Sequence, residues 1–274
     1  MNSPKSAKEP NPFYLSVIER ELNLGVISRS DRVLVSCGGD LDRVALLAAG
    51  FTDVVISNLA PHGGYEDYHP YVWEHQDIEN LEYEDGAFDI AIVHSGLHHC
   101  YNPVRAMGEL CRVARKQVIA FEPYETWFTR LGAALGYGQQ YEDQAVHGCG
   151  GASGGVANTE IPNYVYRFNE SEVKKFSRAL LPFAEAQVRF YRALRVNYGR
   201  FRTHRNPFLR ISFAIAHPII RGFARAVPSL NNNLCFVIQK PTAQQDHPWI
   251  RRVEGRPTID SDYLKAKYGD FPTK

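Results

Sequence analysis

Two adjacent histidines, His98 and His99, with Glu122 downstream and Asp77 upstream, are the residues of this chain best suited to chemistry. They belong to the run HQDIENLEYEDGAFDIAIVHSGLHH, residues 75–99, which is followed after a helical stretch by KQVIAFEP at 116–123. Imidazole titrates near neutral pH, so a histidine can take up or release a proton under ordinary conditions. The segment Asp89 to Val93 is apolar and β-branched, with Gly86 before it and Ser95 and Gly96 after it. That is the pattern of a strand buried on both faces of a parallel sheet. His94, Ser95 and the histidine pair thus follow the carboxyl end of a strand, where open α/β sheets bind their ligands.

The elements that must position these residues are legible on either side. Phe13 to Leu24 carries Leu15, Ile18 and Leu22 at helical spacing and ends near Gly25, which predicts a lid helix ahead of the sheet. Arg32 to Ser36 reads as the first strand, Gly38 and Gly39 as a turn, and Asp40 to Ala49 as a helix closed by Gly50. Val54 to Ser57, Tyr71 to His75 and Asp89 to Val93 read as strands two to four. Pro103 to Ala114 predicts a helix with Asn102 as its cap, and Gln117 to Phe121 a fifth strand. Strands separated by short helices need right-handed crossovers, so the expected class is α/β, a doubly wound parallel sheet. Residues 138–155 hold six glycines in 18 positions and read as a long loop. A helix at Glu170 to Leu180, an Arg-rich region and a late strand at Leu234 to Gln239 follow. The chain divides into an N-terminal segment with its helix (1–30), a main domain (31–245) containing an insertion and the Arg-rich region (138–232), and a polar tail (246–274).

Composition narrows the function classes. The formal net charge of the 274 residues is +1, which gives no support to nucleic acid as a partner. The charge is unevenly spread, because Ala186 to Gln245 holds nine arginines and Lys240 with no Asp or Glu. The five cysteines are widely spaced with no CxxC pair, so neither a disulfide framework nor a zinc site is expected and reduced, cytoplasmic thiols are. Histidines and acids near the fourth strand do not fall at regular ligand spacing, so no metal is expected either. The first twelve residues lack the apolar stretch of a signal peptide. Ile211 to Val227 is interrupted by His217, Pro218, Arg221 and Arg225, which argues against an ordinary transmembrane helix and for a soluble protein. The motifs G-x-G-x-x-G and G-x-S-x-G are absent from the sheet region, which weighs against nicotinamide enzymes and hydrolases.

With these elements in order, residues 30–124 resemble the class I S-adenosylmethionine-dependent methyltransferases, especially the group that methylates small molecules and glycans. Three stations carry the resemblance. VLVSCGGD at 33–40 stands where the family has a glycine-rich turn, and implies cofactor contacts from Ser36, Cys37, Gly38, Gly39 and Asp40. VVISNL at 54–59 puts Asn58, with Leu59, where the family places an acid for the ribose hydroxyls. An Asn can accept one such hydrogen bond and donate another. In the third station Asp77 matches the acid that accepts the adenine amino group, Ile78 lies beside the ring, and His94 and Ser95 stand at the strand end. The chain departs from the pattern at strand one, where Val35, Ser36 and Cys37 replace the usual acid. Asp40 is the substitute the sequence offers. The resemblance implies a Rossmann-like, mostly parallel seven-stranded sheet with helices on both faces and an insertion after strand five on the acceptor side.

The activity implied is methyl transfer from S-adenosylmethionine, read as O-methylation of a small-molecule or sugar acceptor by in-line displacement. His98 or His99 would then be the general base, with His147 a third candidate and Glu122 orienting the acceptor or the base. The arginines, interleaved with aromatics, give a cationic surface able to hold an anionic acceptor, touch an anionic membrane or balance a second subunit. Arg195, Arg202 and Tyr164 are the acceptor-binding candidates. The competing reading is a degenerate family member acting as a binding or scaffold protein.

Overall fold

The structure, a computed structural model, describes residues 9–60, 68–134, 139–195 and 207–272. Five short runs become parallel strands, four of them (all but the edge strand, β3) because they are apolar on both faces. They are β1 (Val33–Ser36), β2 (Val54–Asn58), β3 (Val72–His75), β4 (Phe88–His94) and β5 (Ala114–Pro123). Two later strands, β6 (Gln187–Ala193) and β7 (Asn233–Gln239), complete a seven-stranded sheet of order β3-β2-β1-β4-β5-β7-β6. β7 alone runs antiparallel to its neighbours. The order reverses between β1 and β4, which makes their carboxyl ends the switch point of the sheet.

Alternation along the strands splits the core in two. One face buries Leu34, Ala91, Val93, Val118, Ala120 and Phe236 against α3 (Pro103–Val113) and α6 (Glu170–Leu180). The other buries Val35, Ile90, Ile92, Ile119 and Val237 against α1 (Pro12–Asn23) and α2 (Asp40–Ala49). The capping expected from sequence is present. Asn102 Oδ1 accepts from the Arg105 amide at 3.0 Å, and Asn11 Oδ1 accepts from the Phe13 amide at 3.0 Å. The helix expected as a lid builds part of the core, since Tyr14, Val17 and Ile18 are buried beneath the sheet.

Three regions differ from expectation. The stretch 138–155, expected as loop throughout, contains α4′s successor α5 (Asp143–Gly148), with α4 (Trp127–Ala134) just before it. Its single buried apolar residue, Val146, leaves no periodicity to read. The polar tail forms a hairpin of Ile250–Val253 with Arg256–Ile259 and a helix at Ser261–Tyr268. The Arg-rich region supplies β6, and two of its arginines are tied inward. Arg189 binds the buried Glu21 of α1 through Nε (3.1 Å) and Nη2 (2.5 Å) and also reaches Gln117 and Gln239, while Tyr191 donates to Glu21 at 2.6 Å. Arg192 pairs with Glu170.

Two predictions follow from burial. Removing Glu21 leaves the Arg189 cation without its partner, so Glu21→Ala should lower the unfolding free energy by about 3 kcal/mol in denaturant titrations. Asp42, in the first turn of α2, accepts from the Gly39 amide at 2.9 Å, yet burial outweighs that bond and pushes its carboxyl up to about 7. The folded protein then keeps a proton that the unfolded chain releases near pH 4, so stability falls as pH rises from about 4 to 7, by at most about 1.4 kcal/mol per unit. Asp42→Asn should flatten that slope, and an unchanged slope would assign it to other groups.

Candidate functional site

At the carboxyl end of β5 the buried Glu122 carboxylate organises the turn that follows β4. Its Oε1 accepts from the amides of Gly96 (2.9 Å) and Leu97 (2.8 Å), and its Oε2 lies 2.6 Å from His98 Nδ1. The turn is a short 3₁₀ segment, Leu97–His99, which places His98 inward and His99 toward a cleft. Gly96 is required there by space: a Cβ would stand 2.5 Å from Cys37 Cβ, so the turns after β1 and β4 meet only because this residue has no side chain. Cys37 and Ser95, at those two strand ends, both hold positive φ (54° and 56°). Backbone outliers of this kind gather at ligand sites.

The cleft above the switch point has a volume of about 720 Å³ counting its open mouth. It brings together six of the residues expected to hold the cofactor: Cys37, Asn58, Leu59, Asp77, Ile78 and Ser95, with His99 beside them. Asn58 spans two turns, donating to the Gly38 carbonyl (3.0 Å) and accepting from the Ala60 amide (3.0 Å). Asp77 Oδ1 accepts from the Glu79 amide at 2.9 Å. Burial pushes the Cys37 thiol up to about 12, so it serves as a neutral wall.

Other candidates are placed elsewhere. Ser36 is buried and shares a hydrogen bond with Ser57 at 3.2 Å, and Gly38 is wedged against Val35 and Ile56. Gly39 begins α2. Asp40, offered as the substitute acid, is held by Arg43 Nη2 at 2.7 Å. His94 turns to the opposite face, where it lines a smaller cleft of about 280 Å³ with Asn11, Tyr14, Glu122 and Arg195. Burial lowers its pKa to about 4, so it is neutral. His147 is exposed on α5. Tyr164 packs edge-on with Tyr141 and lines a separate, open groove of about 1010 Å³ with Glu125, Arg167 and Lys175, away from the cleft at the switch point. Arg202 lies outside the described residues, as do Tyr198, Arg200, Phe201 and Arg205.

The sequence reading missed a second carboxylate. Glu142, just ahead of α5, sets its Oε2 3.5 Å from His98 Nε2 and 3.2 Å from His99 Nε2. Burial works against a charged His98, but Glu122 first and then Glu142 overcome it and hold its pKa up at about 10. The two histidines in turn keep the Glu142 carboxyl well below its usual range. Asn163 braces the group, donating to the His98 carbonyl at 3.0 Å while its own carbonyl accepts from the Glu142 amide at 3.0 Å. Gly154, Gly155, Ala157 and Asn158 close one side of the cleft, and the Gly155 carbonyl faces His99 Nδ1 at 3.3 Å. Of the missed residues, Glu79, which lines the cleft, had a signal in its nearness to Asp77; Glu142, behind the histidines in a glycine-rich stretch, had none.

Residues 33–121, from β1 to near the end of β5, match the family model described as "Methyltransferase domain". No curated protein sequence matches the chain. Solved structures with a similar course include magnesium protoporphyrin IX methyltransferase from Synechocystis with bound S-adenosylhomocysteine (13% identity, 83% of this chain and 82% of that one, TM-score 0.46). Another is 1,6-didemethyltoxoflavin-N1-methyltransferase of Burkholderia thailandensis (13%, 84% and 77%, 0.49). A third is an S-adenosylmethionine-dependent methyltransferase of Methanosarcina mazei (13%, 85% and 99%, 0.48). The family match falls on β1 to β5, the strands whose carboxyl ends border the cleft, so that residues 33–121 are similar to a methyltransferase domain.

Proposed function

We propose that this methyltransferase O-methylates a small-molecule or sugar acceptor, with the acceptor hydroxyl activated beside His99. The observation that carries the reading is the shared cleft, in which Asn58, Asp77 and Ile78 stand with His99. The donor set suits the cofactor: Asn58 can give and accept hydrogen bonds at ribose hydroxyls, Asp77 can accept from an adenine amino group, and Ile78 offers apolar contact. When bound, S-adenosylmethionine supplies a methyl group on a sulfonium sulfur, open to in-line displacement.

The chain's own part is to hold the acceptor oxygen in line and to take its proton. His99 lines the cleft with Glu142 behind it, which favours it over the other two histidines. His98 is buried and held in its charged form between Glu122 and Glu142, so it orients the group and cannot serve as a base near neutral pH. His147 faces solvent. Arg195, at the smaller cleft beside His94 and Tyr14, supports an acceptor that carries an anionic part. The long helix Pro207–Ala226 exposes Ile211, Ile215 and Phe223, which supports contact of that face with a membrane surface or a second copy. No helix among the described residues is long and apolar enough to cross a membrane. The free cysteines favour a cytoplasmic setting. One observation favours binding without transfer: Arg43 holds the carboxylate of Asp40, the acid that opens α2 after the β1 turn.

Calorimetric titration should show S-adenosylmethionine and S-adenosylhomocysteine binding, weakened about 10-fold or more by Asp77→Ala through the loss of a hydrogen bond to a charged group. Binding of neither would favour the non-catalytic reading. With an acceptor in hand, His99→Ala should abolish turnover while leaving cofactor affinity within a few-fold. Unchanged turnover would remove His99 from the proposed mechanism.

A further inference from the structure

Hydrogen-bond accounting at the histidine pair does not close with neutral rings. Both nitrogens of both imidazoles face acceptors. Nδ1 of His98 faces Glu122 at 2.6 Å and Nδ1 of His99 faces the Gly155 carbonyl at 3.3 Å, while both Nε2 atoms converge on Glu142 Oε2. A neutral imidazole carries one N–H. Once the Nδ1 hydrogens go to Glu122 and Gly155, two Nε2 lone pairs and a carboxylate oxygen point at one another. Two added protons would relieve this, and so would a single cation of the same total charge.

We propose that His98, His99 and Glu142 bind one divalent cation of the borderline class, such as zinc, cobalt, nickel or iron. The three ligand atoms lie within 4.8 Å of one another. Two ligands about 2.0–2.1 Å from a metal stand about 2.8–3.0 Å apart at octahedral angles and about 3.3–3.4 Å apart at tetrahedral ones. The separations of 3.2 and 3.5 Å from Glu142 Oε2 to the two Nε2 atoms are close to the tetrahedral spacing, and small side-chain rotations would bring the two Nε2 atoms to it. Imidazole with carboxylate is the donor set of this class of ion. Each histidine also has the outer partner that a metal ligand needs, an acceptor at Nδ1 that sets the tautomer and leaves Nε2 to the metal. For His98 that partner is Glu122, itself fixed by two backbone amides. For His99 it is the Gly155 carbonyl. Binding makes two N–metal bonds and one O–metal bond, and any protons held on the Nε2 atoms leave to solvent.

Three protein ligands leave coordination positions open, as in catalytic rather than structural sites. Because His99 lines the cleft, a hydroxyl bound to the cation would stand at its rim and lose its proton to solvent more readily. In the loaded protein His99 is then a ligand and the cation replaces it as the activating group. This consequence rests on the methyl-transfer reading above; the site itself does not.

The test is a titration of untagged, chelator-treated full-length protein with Co²⁺, followed by calorimetry and visible absorption, with S-adenosylhomocysteine titrated in the same samples. One equivalent should bind with nitrogen- and oxygen-ligand d–d bands. Glu142→Gln and His99→Ala should each abolish binding, and Glu122→Gln should weaken it about 10- to 100-fold. Retained S-adenosylhomocysteine affinity or an unchanged circular dichroism spectrum shows that the variants fold. No saturable cobalt binding, binding that Glu142→Gln and His99→Ala leave intact, or a thiolate-to-cobalt band would each overturn the site. Cobalt bound by wild type without S-adenosylhomocysteine binding would uphold the site and remove the methyl-transfer reading.

Discussion

One buried carboxylate, Glu122, sets the geometry on which the site depends. A carboxylate taken out of water needs its lone pairs met, and here two backbone amides and an imidazole meet them. The same bonds fix the turn after β4. They decide that His98 goes inward and that His99, one residue on, reaches the cleft. Because β4 and β5 are neighbours in register, with His94 opposite Phe121, the glutamate one residue past Phe121 is carried to that turn by the sheet itself.

Two close contacts complete the cleft around this anchor. The turns after β1 and β4 approach until only Gly96 fits beside Cys37, which joins the ends of the two strands at the switch point. On the far side, a Cβ on Gly155 would stand 1.8 Å from the Ile161 carbonyl oxygen, so the segment can fold back tightly enough to set its own carbonyl against His99. Asn163 then ties this segment to both His98 and Glu142. The acceptor side of the cleft is therefore held by backbone groups and small residues, and its polar side chains converge from three separate stretches of chain.

Charge is handled differently at the two ends of the sheet. Glu21 and Arg189 neutralise each other across α1 and β6, which turns part of the Arg-rich region into an internal tie. An arginine that satisfies a buried glutamate is unavailable to an external anion, so the cationic surface read from composition is smaller in the fold. At the carboxyl ends, two histidines and two glutamates are gathered, with no arginine or lysine between them among the described residues, and that grouping raises the proton affinity of His98.

Strand and helix positions were legible in the amino-acid order because burial on both sheet faces demands continuous apolar runs and helix ends demand caps, as at Val33–Ser36, Phe88–His94 and Asn102. That Asn58, Asp77, Ile78 and Ser95 share one cleft was legible too, since each stands at or just past a strand's carboxyl end and a parallel sheet sends all such residues to one edge. Glu142 and the inward pairing of Arg189 and Arg192 were not. They join residues far apart in the chain, and local periodicity holds no record of a contact between distant segments. The sequence by itself determined the sheet, its ligand-binding edge and the presence of a histidine pair there. Only the tertiary structure decided which histidine faces the cleft and which carboxylates flank it, because those depend on how turns far apart in the chain close against one another.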